Sequence, residues 1–137
     1  MSISNRTVLV VDDEKSQRDL MRIILHLEAY TVLEASDYDD ALAVQKKHLG
    51  EIDLLLIDVT LPGGNGYDLS KALLAVEPHL KTLFVSGYAG AELCKFFDMP
   101  LTDVHFLQKP FQPADLLGRV KSVLELADPF AGSALAY

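Results

Sequence analysis

The sequence predicts a doubly wound α/β fold, a five-stranded parallel sheet covered by helices on both faces. Three observations carry it. Short unbroken apolar runs, clearest at 8–11, 54–57 and 82–85, are too short for helices and have the continuity of strands buried on both faces. Between the runs, apolar residues recur at helical spacing, so strand and helix alternate along the chain without repeats or low-complexity tracts. At 137 residues, half of them hydrophobic and 23% charged, the chain has the size and composition of one globular domain with a real core.

Taken in order, Val8-Leu9-Val10-Val11 is the first strand and ends in Asp12-Asp13-Glu14. Leu20, Ile23, Ile24 and Leu27 then recur on a helix, with the acidic group at the strand-to-helix turn, where it is placed to cap that helix. Residues 31–35 form a strand, and Ser36 or Asp37 caps the next helix, which carries Ala41, Leu42 and Val44. It stops at His48-Leu49-Gly50, where glycine suits the position just past a helix end. The run Leu54-Leu55-Leu56-Ile57 delivers Asp58 to the rim of the sheet, followed by a turn through Leu61-Pro62-Gly63-Gly64-Asn65-Gly66. Leu69, Ala72, Leu73 and Val76 make one helical stripe that Pro78 ends. Residues 82–85 are a strand closing on Ser86-Gly87, and Tyr88 to Phe97 is a helix whose apolar face is ill-defined and which Gly90 interrupts. The last strand, 104–107, leads into Gln108-Lys109-Pro110. Leu116, Leu117, Val120, Val123 and Leu124 form a final helix that ends near Asp128-Pro129. The domain is therefore expected to span 1–127, with a short C-terminal tail at 128–137.

Charge and cysteine content exclude several classes. A formal net charge of −8 opposes binding to a phosphate backbone, so direct contact with nucleic acid is not expected. The one cysteine, Cys94, cannot make an internal disulfide and reads as a small buried residue. The first six residues have no apolar signal-peptide core and no apolar run is long enough to cross a bilayer, so a cytoplasmic location is expected. His26, His48, His79 and His105 belong to no kinase-like motif, and no P-loop pattern appears. Tyr88, Phe96, Phe97 and Phe111 suit core and interface equally well.

A parallel sheet sends every strand's C-terminal end to one edge, where open α/β sheets bind ligands. Here that edge collects Asp12, Asp13, Asp58, Ser86 and Lys109. Singly, each is explained as a strand end or a helix cap. Jointly they are not, because carboxylates crowded together repel unless a cation sits among them. Oxygen ligands without neighbouring His or Cys favour Mg²⁺ or a similar hard ion. Carboxylates, one Lys and one Ser suit phosphoryl transfer, with the Asp58 carboxylate attacking phosphorus to give an acyl phosphate.

The same residues carry a family resemblance. Val10-Val11-Asp12-Asp13-Glu14, Asp58 followed by Leu61-Pro62 and Asn65-Gly66, Ser86-Gly87, and Lys109-Pro110-Phe111 stand in order at the spacing of the receiver domain of two-component response regulators. The chain resembles that family from about Val8 to about Leu126. The resemblance implies a flavodoxin-like sheet of strand order 2-1-3-4-5 and a phosphorylation-controlled signalling switch. It implies that Asp58 is the phosphoacceptor, charged by a histidine kinase or a histidine phosphotransfer protein. Asp13, Asp58 and the backbone carbonyl of Thr60 would hold Mg²⁺, with Asp12 acting directly or through water. Lys109 would contact the phosphoryl group, and Lys109-Pro110 would be a cis peptide. Ser86 would be the switch hydroxyl and Phe106 the switch aromatic. Ser in place of the commoner Thr keeps the donor and loses a methyl; Phe in place of Tyr removes a hydroxyl. Thr60 and Tyr88 would flank the path of the water that ends the phosphorylated state.

Output would then run through a downstream protein partner or a homodimer, with no membrane contact. The domain could stand alone, as Met1 and the short tail suggest, or be the receiver of a DNA-binding regulator or of a hybrid histidine kinase, whose wording Phe84-Val85-Ser86-Gly87-Tyr88-Ala89 resembles. Two other classes fit the sequence less well. A haloacid-dehalogenase-like phosphatase wants a second Asp where this chain has Thr60, and a cap domain the length does not hold. A pseudo-receiver, a binding module of the same fold, would lack an acidic or Lys position, and none is lacking. A turnover enzyme is therefore not expected.

Overall fold

The computed structural model describes residues 6–97 and 105–126, without the side chains of residues 91, 94, 96 and 97. The elements are β1 (Thr7–Val11), α1 (Lys15–His26), β2 (Thr31–Ala35), α2 (Tyr38–Lys47), β3 (Leu54–Asp58), β4 (Thr60–Leu61), β5 (Gly64–Asn65), α3 (Gly66–Val76), β6 (Lys81–Ser86), α4 (Gly90–Phe97), β7 (Phe106–Gln108) and α5 (Pro113–Leu124). The main sheet has the order β2-β1-β3-β6-β7, parallel throughout, which is the expected 2-1-3-4-5 when only its own strands are counted.

Because side chains alternate along a strand, each apolar run feeds two cores. Val8, Val10, Leu54, Leu56, Leu83 and Val85 pack with Met21, Ile24 and Leu25 of α1 and Leu116, Val120 and Val123 of α5. Leu9, Val11, Leu55, Ile57 and Phe84 pack on the other face with Ala41, Leu69, Leu73 and Leu93 of α2, α3 and α4. Every residue of β3 is buried, as a central strand under two helical layers must be.

Several elements differ in detail from the sequence reading. On α1, Leu20, Ile23 and Leu27 are 45%, 55% and 67% exposed, and the core face is Met21, Ile24 and Leu25. Both sets have helical spacing, and spacing gives the period of a helix but not the phase that docking selects. The acidic turn does not cap α1: Glu14 is the N-cap residue and makes no side-chain cap bond, while Asp12 Oδ1 accepts from the Glu14 N–H at 2.9 Å. For α2 the cap is Asp37, which accepts from the Asp40 N–H at 2.8 Å. This helix ends at Lys47 with His48 as its cap, which puts Gly50, at φ +80°, one residue further on than expected. Val76 ends α3 but is 58% exposed rather than part of its buried stripe.

The turn after Asp58 folds into a two-residue antiparallel ladder, β4 with β5, which was not expected; Gly63 at φ +80° makes its bend. Helix α4 starts at Gly90, two residues after the expected Tyr88, and α5 ends at Leu124. Strand β7 starts at Phe106, with His105 outside it; Val104, Asp128-Pro129 and the tail at 128–137 lie outside the described residues, as do the side chains of Cys94, Phe96 and Phe97. Of the aromatic set, Tyr88 is 39% exposed and Phe111 is half-buried against the core.

Candidate functional site

The sheet's hydrogen-bond ladder continues past the strands and so fixes the residues that follow them. The Asp12 N–H donates to the Ala35 carbonyl (3.2 Å), the Val59 N–H to that of Val85 (3.0 Å), and the Lys109 N–H to that of Ser86 (2.7 Å). Asp12, Asp58 and Lys109 are thereby set side by side at the C-terminal edge. The Lys109-Pro110 peptide is cis, as expected.

At this edge Lys109 Nζ donates to Asp58 Oδ2 at 2.9 Å and to Asp12 Oδ2 at 3.1 Å. The remaining oxygens are held by the backbone: the Thr60 N–H donates to Asp58 Oδ1 at 2.9 Å, and the Glu14 N–H to Asp12 Oδ1 at 2.9 Å. Asp12 is fully buried and Asp58 nearly so, while Asp13 is exposed. One carboxylate oxygen from each of Asp12, Asp13 and Asp58 lies within 4.8 Å of the other two.

The electrostatics follow from that crowding. Burial raises the Asp58 pKa above its ordinary value; the hydrogen bonds from Lys109 and from the Thr60 N–H pull it down without cancelling the rise, and the Asp12 charge adds to it. For Lys109, burial acts to lower the pKa, but the bonds and charges of Asp58 and Asp12 together outweigh it, so the ammonium is held protonated. One ammonium faces three carboxylates, which leaves uncompensated negative charge among oxygen donors. That donor set, all hard and without His or Cys, fits a divalent cation such as Mg²⁺.

Local packing explains why a helix can start so close to Asp58. Asn65 caps α3 by accepting from the Asp68 N–H at 2.8 Å, and the Gly66 N–H donates to the Val59 carbonyl at 2.7 Å. A Cβ on Gly66 would run into the Asp58 carbonyl and stand 2.7 Å from Ile57 Cγ2. Only glycine lets the helix approach the strand end this closely.

Of the residues singled out in the sequence, Asp12, Asp13, Asp58 and Lys109 form the cluster. Ser86 is fully buried at the end of the adjacent strand, its hydroxyl accepting from the Tyr88 N–H at 2.9 Å. Phe106 pairs in register with Phe84 and packs, half-buried, on the core of that face rather than on the cluster. Thr60 is exposed, two residues beyond Asp58. The sequence reading missed two contributors. Gly66 reads from sequence as a turn and motif residue, and nothing there shows the strand end it touches. The other is Arg18, whose Nη1 donates to the Asp12 backbone carbonyl at 2.7 Å. Only its position one helical turn beyond the acidic group could have hinted at that bond.

Comparison with known proteins agrees with this geometry. The family model described as "Response regulator receiver domain" matches residues 8–121. The chain is 32% identical over 117 residues to the transcriptional regulatory protein CpxR of Escherichia coli (strain K12), covering 85% of this chain and 48% of that one. It is 36% identical over 123 residues to the sensor kinase CckA of Brucella abortus (strain 2308), covering 89% of this chain and 13% of that one. Against the crystal structure of a CheY-like response regulator receiver domain protein from Methanospirillum hungatei JF-1 the TM-score is 0.75 at 32% identity, covering 89% of this chain and 95% of that one. The chain spans about half the length of the first curated relatives it matches.

Proposed function

The chain belongs to the response regulator receiver family, and we propose that its Asp58 is the phosphoacceptor of a two-component phosphorelay. The observation that carries this reading is the Lys109 ammonium bridging Asp58 and Asp12 at 2.9 and 3.1 Å, with Asp13 completing the acidic pocket.

In the proposed step an Asp58 carboxylate oxygen attacks the phosphorus of a phosphohistidine. A P–O bond forms, the P–N bond breaks, and the electron pair leaves on the imidazole nitrogen, which takes up a proton. The protein contributes mainly position and charge. Lys109 holds Asp58 in place and then offers its ammonium to the phosphoryl oxygens. Asp12, Asp13, Asp58 and the Thr60 carbonyl would hold Mg²⁺, and the bound ion supplies positive charge to those same oxygens. Ser86 would leave the Tyr88 N–H for a phosphoryl oxygen, a contact available only in the phosphorylated state, which biases the conformational equilibrium. Phe106, on the neighbouring strand, would follow it. Thr60 and Tyr88 would govern water access and so the lifetime of the acyl phosphate.

The partners are then a histidine kinase or histidine phosphotransfer protein upstream and a downstream protein, or a second copy of the chain, as the reader of the switch. Residues 1–127 would be the receiver and 128–137 a tail, in a cytoplasmic setting; among the described residues no helix is long and apolar enough to cross a membrane. Turnover of a substrate is not part of this role.

The test is intact mass after incubation with Mg²⁺ and acetyl phosphate. One added phosphoryl group is expected on the native chain, none without Mg²⁺ and none on Asp58→Asn. A native chain that stays unmodified, also when offered a phosphohistidine donor, would leave a pseudo-receiver binding module.

A further inference from the structure

We propose that Arg18 is a positioning residue for the acidic pocket. Its guanidinium holds the Asp12–Asp13 peptide so that the exposed Asp13 carboxylate joins those of Asp12 and Asp58, and in this way it sets the pocket's affinity for a divalent cation. This rests on the reading of the pocket given above.

The three carboxylates are not held alike. Asp58 is fixed by the Thr60 N–H and Lys109, and Asp12 by the Glu14 N–H and Lys109. Asp13 is exposed, and no side chain among the described residues holds its carboxylate. Its direction is therefore set by the backbone that carries it. That backbone is pinned on both sides of Asp12: the N–H donates to the Ala35 carbonyl at 3.2 Å, and the carbonyl accepts from Arg18 Nη1 at 2.7 Å. The second bond fixes the peptide plane leading into Asp13, since the six atoms of that unit move together.

Arg18 is built for this. Its side chain is only 16% exposed, and its Nε pairs with Glu34 Oε1 on β2 at 3.3 Å. Glu34 is steadied in turn by Arg22 Nε at 3.3 Å on its other oxygen. The guanidinium thus uses two edges of its rigid fork on two acceptors, which an ammonium cannot reproduce. Arg22 also reaches Glu34, but its other pair, like that of Lys15, is with Asp19 on the same helix, and the Lys15 side chain is 77% exposed. Such pairs contribute little. Among the described residues, Arg18 is the one polar side chain of this helix that bonds to both β2 and the β1 corner. With Glu34 offsetting its charge, what it gives the pocket is position.

The experiment is a Mn²⁺ titration followed by electron paramagnetic resonance on the full chain, with thermal melts and acetyl phosphate labelling alongside. Arg18→Ala is expected to weaken Mn²⁺ binding about tenfold, the lower end for residues that orient metal ligands. The Mg²⁺ needed for half-maximal labelling should rise by the same factor, with the rate recovered at saturating Mg²⁺. Arg18→Lys should recover part of the affinity and Glu34→Gln should lose part; Lys15→Ala should bind as the native chain does. A folded Arg18→Ala that binds Mn²⁺ within twofold of native overturns the proposal, as does a labelling rate that saturating Mg²⁺ fails to restore. If Arg18→Ala does not fold, native-like binding by both Arg18→Lys and Glu34→Gln overturns it. A native chain that binds Mn²⁺ yet takes up no phosphoryl group sinks the phosphoacceptor reading alone; one that binds no Mn²⁺ sinks both.

Discussion

The two edges of the sheet use the same kinds of residue to opposite ends. At the N-terminal edge two acids, Asp53 and Glu77, are given to neighbours that need an acceptor. Asp53 Oδ2 accepts from the Thr7 N–H at 2.7 Å, and Glu77 accepts from Gln45 Nε2 at 3.0 Å and from the Gly50 N–H at 2.7 Å. Lys81 Nζ likewise donates to a backbone carbonyl, that of Leu124, at 3.4 Å. At the C-terminal edge three carboxylates are pooled around one ammonium. An acid whose charge serves a neighbouring donor, away from other acids, is structure. Acids gathered beyond what their donors can balance form a site that a cation or a phosphoryl group completes.

The sharpest way to break that comparison is to remove one lysine from each edge. Lys109→Met leaves Asp12 and Asp58 facing each other without a counter-charge. Losing one partner of a buried pair costs about 3–5 kcal/mol, and the 19% exposure of the Lys109 side chain brings the expectation to about 2–4 kcal/mol in Mg²⁺-free buffer. Adding Mg²⁺ should restore much of the loss. Lys81→Met, which gives up one long bond to a carbonyl, should change stability by no more than about 0.5 kcal/mol and respond to Mg²⁺ as the native chain does. Urea unfolding with and without Mg²⁺ reads both. Equal losses, or no Mg²⁺ response in Lys109→Met, would mean that the pooled charge is not what sets this edge apart.

Protonation offers a finer cut. The folded-state pKa of Asp58 lies above its unfolded value, because burial outweighs the help of Lys109 and the Thr60 N–H. Its contribution to stability is therefore fully present below the ordinary carboxylate value and lost as pH rises through the raised one. Asp58→Asn carries no such dependence. The variant's stability relative to native should climb between the two values and then level off, in Mg²⁺-free buffer where no cation relieves the charge. Lys109, with its pKa raised, stays protonated throughout this window and does not confuse the reading. A difference that stays flat as pH rises from below the ordinary carboxylate value to neutrality would show that burial is not what governs Asp58.

This contrast also marks what a sequence can disclose. The strands were legible because runs such as Leu54-Leu55-Leu56-Ile57 admit few other structures, and a parallel sheet then puts Asp12, Asp58, Ser86 and Lys109 on one edge by topology alone. Whatever depended on one element docking against another was not legible. Leu20, Ile23 and Leu27 on α1 satisfy the helical period as well as Met21, Ile24 and Leu25 do, and only packing against β1 and α5 chose between them. The bond from Arg18 to the Asp12 carbonyl needs that phase as well, and the tight seat of Gly66 against the Asp58 carbonyl depends on where α3 docks. The pairing at the opposite edge was equally hidden. Nothing in the local sequence of Glu77 tells that Gln45, on another helix, lies buried beside it.

That pairing makes the smallest and most discriminating test. In Glu77→Gln the side chain keeps one acceptor and turns an amide donor towards either the Gly50 N–H or the Gln45 amide, so one hydrogen bond is lost and two donors meet. A loss of about 1 kcal/mol is expected, the usual size of one such bond at a partly exposed site. Acetyl phosphate labelling and its Mg²⁺ dependence should be unchanged, because Gln45 and Glu77 bind the ends of α2 and α3 and touch nothing at the far edge. If labelling falls along with stability, the two edges are coupled through α3, whose first residue seats against Asp58 and whose cap is Glu77. The division between a structural edge and a chemical one would then give way to a single helix serving both.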